Sequence, residues 1–97
     1  MIKILGKKYK VVKVPMHSLT DRYCGMTESS KQLITIGAGL ENDHLMETLL
    51  HECVHAIDFA MATKLSERQV EAFANGLYAF FIDNNISLEK LTELIDD

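Results

Sequence analysis

The chain is 97 residues long, 47% apolar and 25% charged, which is ordinary globular usage for one small domain and too little material for a two-domain enzyme. Ten basic residues against fourteen acidic ones leave a net charge of -4, so the chain lacks the basic footprint of a nucleic-acid binder. No apolar run approaches the ~18 residues of a membrane span, and two cysteines, Cys24 and Cys53, make no disulfide framework, which points to a reducing cytoplasm.

No repeat, low-complexity tract or linker divides the sequence, and residues 1–97 are read as a single domain. Ile2 and Ile4, then Tyr9, Val11, Val12 and Val14, are strand formers around a turn at Gly6-Lys7-Lys8, and Pro15 ends the second strand. Lys3, Lys7, Lys8, Lys10 and Lys13 decorate this hairpin, as lysines do on solvated sheet edges. His17 to Asp21 reads as a loop. Tyr23 to Thr27 and Gln32 to Ile36 read as a second strand pair turning at Glu28-Ser29-Ser30-Lys31, and Gly37-Ala38-Gly39 breaks the last strand.

From Asn42 the period changes to three and four. Leu45, Met46, Leu49, Leu50, Cys53, Val54, Ile57 and Met61 predict a helix over about 43–63, capped by Asn42 or Asp43. Ser66-Glu67-Arg68-Gln69 fits a capping box for a second helix, whose apolar face of Val70, Phe73, Ala74, Leu77, Phe80 and Phe81 runs to about residue 83. Ser87 caps a short last helix with Leu88, Leu91, Leu94 and Ile95. Strands followed by helices predict an α+β fold with a mostly antiparallel sheet.

The middle of the first long helix reads His51-Glu52-Cys53-Val54-His55. Residues four apart share a helix face, so His51 and His55 can offer two imidazole nitrogens to one zinc ion, with Glu52 about 100° round the helix as a base for a water on that ion. His44, Thr48, His51, His55 and Asp58 form a polar stripe distinct from the apolar one. A third ligand is required, and neither a third histidine six residues past His55 nor a C-x-x-C is present. The next helix offers Glu67 and Glu71. Glu71 is favoured because Glu67 has a ready role at the helix N-terminus, and because Glu71 begins a stripe with Asn75 and Tyr78 beside the small Ala72 and Ala74.

The block from Glu47 to Asp58 with His51-Glu52-Cys53-Val54-His55, followed by Glu67 to Leu77, resembles the small ImmA/IrrE-like and SprT-like zinc metallopeptidases, in particular the short forms of phages and prophages. The resemblance covers roughly residues 20 to 84. It implies a small zincin-like fold acting in the cytoplasm of a bacterial or phage-infected cell. It implies zinc on His51, His55 and the glutamate of a loose E-x-x-A pattern, here Glu71, with Glu52 as the catalytic acid. It also implies a protein or peptide substrate, such as a regulator or repressor, bound as an added strand along the edge at Gln32 to Ile36.

The expected chemistry is hydrolysis of a peptide bond, with Glu52 taking a proton from water and passing it to the leaving amine. Tyr78, Asn75 and His17 are candidates to stabilise the oxyanion. Asp58 can orient a ligand histidine or be a solvated acid, and Cys53 reads as a small core residue. The competing reading is a catalytically silent zinc-binding protein-interaction module.

Overall fold

The computed structural model describes residues 1–15 and 24–96, so the loop expected at His17 to Asp21, with its candidate His17, lies outside the described residues. β1 (Ile2–Ile4) and β2 (Lys7–Val14) form a hairpin. Its turn sits at Leu5-Gly6, one residue earlier than expected, with both residues left-handed (φ 48° and 82°), the twist that a two-residue hairpin loop requires. β3 (Gly25–Glu28) and β4 (Leu33–Gly37) form a second antiparallel pair, joined by a single 3-10 turn at Ser29–Lys31. The helices are α1 (Asn42–Met61), α2 (Glu67–Asp83) and the short α3 (Glu89–Thr92). The class is α+β, as the order of patterns predicts.

The sheet order is β1-β2-β4-β3, and β2 pairs with β4 in parallel, Val11 opposite Ile34. The sheet is therefore mixed. This order also relocates the expected edge. β4, read from the resemblance as the strand open to substrate, is held between β2 and β3, and among the described residues the end strand on that side is β3. The reason lies in burial. Ile34 and Ile36 are wholly buried, so β4 belongs inside the sheet, while β3 carries exposed Met26 and the polar Thr27 and Glu28 and tolerates an end position.

One face of α1 covers the sheet. Leu45, Leu49, Cys53 and Ala56 meet Ile2, Ile4, Tyr9, Val11, Ile34 and Ile36, and Leu91, Leu94 and Ile95 close the flank. Among the described residues α2 packs chiefly on α1, through Val70 and Ala74 against Val54, with Leu65 of the connecting loop beside them. Of the face expected to be core, Phe73, Leu77 and Phe80 stay exposed, as do Ile57 and Met61 on α1. A helix that packs chiefly on one neighbour buries one narrow stripe and leaves its flanks in water. Among the described residues no helix is long and apolar enough to cross a membrane.

Candidate metal centre

α1 sets His51 and His55 one turn apart with ring centroids 4.9 Å from each other. The Nε2 atoms of both rings point at one carboxylate, that of Glu67: His51 Nε2 lies 2.8 Å from Oε1, and His55 Nε2 lies 3.3 Å from Oε1 and 3.1 Å from Oε2. Each histidine is about a fifth exposed. Phe59 stacks on the outer side of His55 at 6.2 Å. Partial desolvation pulls the Glu67 carboxyl upward, but the hydrogen bond from His51 and the proximity of His55 outweigh it and hold the group below its usual range.

The three ligand atoms lie within 4.8 Å of one another, close enough to bind one metal ion. Donors around a tetrahedral ion at 2.0–2.1 Å stand roughly 3.3 Å apart, and the Nε2–oxygen separations here, 2.8 to 3.3 Å, lie at or just inside that spacing, so small side-chain adjustments would admit an ion. Two imidazoles and a carboxylate are also the donor set of a three-ligand centre with an open fourth position.

The carboxylate in this cluster is Glu67, not Glu71. The cause is the α1–α2 connection. α1 ends at Ala62 in the left-handed conformation (φ 54°). Asp58 then anchors the loop: its Oδ1 accepts from the Thr63 hydroxyl at 2.6 Å and from the Leu65 backbone N–H at 2.9 Å. Ser66 closes the expected capping box with Gln69, accepting the Gln69 N–H at 3.1 Å. The residue after that cap is Glu67, delivered against the two histidines. Glu71 follows one turn later, about 6 Å further along the axis, and lines the same cleft without entering the cluster. Asp58 is thus a buried loop anchor rather than a solvated acid, and the Leu65 N–H, then Thr63, hold its carboxyl below the usual range.

Glu52 lies beside the cluster, only 5% exposed. The Thr27 hydroxyl donates to its Oε1 at 2.7 Å and lies 3.0 Å from its backbone carbonyl. Burial pushes this carboxyl above its usual range, more than the Thr27 hydrogen bond and the two histidines pull it down. Cys53 faces the core as expected, and burial, then the Glu52 charge, push its thiol up to about 12. Gly25 permits the close approach of β3 to α1. A Cβ there would stand 3.0 Å from the Thr35 carbonyl and from Thr48 Cγ2, and 3.1 Å from Glu52 Cγ. Thr27 and Gly25 carry no local sequence signal for these roles, because their partners on α1 are more than 20 residues away.

A cleft of about 330 Å³ opens over His51, Glu52 and Glu67, with Asn75 and Glu71 on its α2 wall and Cys24 and His44 on the other side. Cys24 Sγ and His44 Nε2 are 3.5 Å apart. Of the oxyanion candidates, Asn75 lines the cleft, whereas Tyr78 faces the acid Asp43, and desolvation, then the Asp43 charge, raise its phenol above its usual range. No family model, curated protein or solved structure matches the chain.

Proposed function

We propose that the chain is a zinc-dependent endopeptidase of the ImmA/IrrE-like and SprT-like kind, with His51, His55 and Glu67 as metal ligands and Glu52 as general base. The observation that carries this reading is the convergence of both Nε2 atoms on one carboxylate with a second, buried carboxylate beside them. A structural metal site has no need of Glu52, whose burial is unfavourable for a charge. A zinc ion supplies Lewis acidity and makes water nucleophilic near neutral pH.

The chain's own groups do the remaining work. Thr27 holds Glu52 Oε1 and so sets where the carboxylate collects the proton and returns it to the leaving amine. Asn75, which lines the α2 wall of the cleft, serves as the donor to a developing oxyanion in this reading. The substrate strand adds to β3, not β4. The bond from the Gly37 N–H to the Cys24 carbonyl, 2.7 Å long, marks Cys24 and Gly37 as a hydrogen-bonded pair. By the alternation of an antiparallel ladder, the peptide groups of Gly25 and Thr27 then point away from β4, toward an added strand.

The test is metal content and proteolysis of the wild type beside Glu52→Gln. Each protein is loaded with zinc and incubated with a mixed peptide library read by mass spectrometry. One zinc in each, with cleavage only by the wild type, supports the reading. Equal cleavage by both removes Glu52 as the base. Zinc without cleavage by either identifies the silent binding module, and no zinc in either refutes the metal centre.

A further inference from the structure

α2 carries a second surface, on the side away from α1. Between Glu71 and Asp83 the helix has no charged residue, yet within it only Val70 and Ala74 are buried. Phe73 is 57% exposed, Phe80 55% and Leu77 43%. At 100° per residue the outward face has two halves. Ala72, Gly76 and Ala79 form a shallow groove, with open space where a Gly76 Cβ would lie, and Phe73 and Phe80 form a ridge beside it.

We propose that this face pairs with a second copy of the chain, two α2 helices crossing antiparallel at Gly76. The face is complementary to itself about a two-fold axis through that residue. Turned about the axis, Phe73 comes level with the second copy's Phe80 on one side of the seam. Ala72 comes level with the second copy's Ala79 on the other, so small residues allow close approach while the rings cover the seam. The ends agree as well: Arg68, exposed at the start of the helix, comes level with the second copy's Asp83, exposed at its end. A helix of 17 residues is about 25 Å long. Phe73, Leu77 and Phe80 alone present roughly 300 Å² of apolar surface. With the groove and the polar ends, the two copies together bury about 1,000 Å², the lower bound of a specific interface. The metal ligands and the cleft lie on the other flank of α2 and stay open in both copies.

Sedimentation velocity from low to high micromolar concentration tests this. The wild type shifts to twice the monomer mass with a micromolar dissociation constant. Gly76→Leu keeps its helix content by circular dichroism, since leucine is the better helix former, but weakens the dimer at least ~10-fold by filling the crossing point. Arg68→Glu weakens it about threefold or more, and adding Asp83→Arg restores it. Both exchanged charges favour the helix dipole, so the double variant stays folded even if Gly76→Leu does not. A wild type that stays monomeric throughout overturns the proposal. A dimer indifferent to Gly76→Leu and Arg68→Glu overturns it too, because it forms through another face.

Discussion

Replacing Gly25 by alanine tests whether β3 presses on the motif helix as tightly as the structure shows. An ordinary contact between carbon atoms is ~3.5–4.0 Å. The new methyl would meet Thr35 O and Thr48 Cγ2 at 3.0 Å and Glu52 Cγ at 3.1 Å. The Thr35 carbonyl belongs to the inner strand β4 and cannot retreat without straining the sheet. Overpacking of this kind costs about 2 kcal/mol. The loss of glycine's freedom in the unfolded chain returns about 0.4–1 kcal/mol. The net destabilisation is about 1–1.5 kcal/mol, which for a domain of this size lowers Tm by roughly 5–10 °C. Gly76→Ala provides the control with the opposite sign. That glycine is helical, exposed and has nothing within 4 Å of an added Cβ, so dilute protein gains about 0.5–1 kcal/mol. Thermal melts of metal-free protein followed by circular dichroism measure both. If Gly25→Ala melts at or above the wild-type temperature, the close approach of β3 to Glu52 is wrong, and with it the placement of the β3 edge over the cleft.

Glu67→Gln abolishes stoichiometric zinc binding in a competition titration, whereas Glu71→Gln retains one zinc per chain; the reverse result returns the third ligand to Glu71. Asp58 makes the loop that delivers Glu67 dependent on pH. Its carboxyl is held below the usual range in the fold, so the unfolded chain binds the proton more readily, and this stabilisation is fully present above about pH 5 and is lost as the pH falls through about 4 and lower. The difference in urea midpoint between wild type and Asp58→Asn, measured without metal, is therefore constant from pH 7 to about 5 and shrinks below. A difference that is independent of pH refutes the anchoring role.

The features legible in the sequence are those whose physics is local. The period of Leu45, Leu49, Cys53 and Val54 announces α1, and the Ser66–Gln69 capping box places the start of α2 to the residue, because such signals act across three or four positions. The juxtaposition of His51 and His55 needs only one turn of helix and is equally legible. The third ligand is not. Glu67 and Glu71 have almost the same helical phase, and only the loop length, with its left-handed Ala62 and its bonds to Asp58, decides which one meets the histidines. The same holds for the apolar residues of α2, whose periodicity announces a helix face without saying how much of it a neighbour will cover.

Strand order is the other feature that only the tertiary structure decided. Both β3 and β4 read as strands, but which one forms the edge depends on β2 pairing in parallel with β4 across the intervening chain. From that pairing follow the Thr27 contact to Glu52 and the close approach of Gly25 to Thr48 and Glu52, interactions between residues more than 20 positions apart. The sequence by itself determined the helices, the cap of α2 and the pair of imidazoles, through backbone hydrogen bonding and side-chain period over a single turn. The tertiary structure decided which carboxylate joins them, how the base is held and which edge stays open, because each of those depends on how distant segments share one buried core.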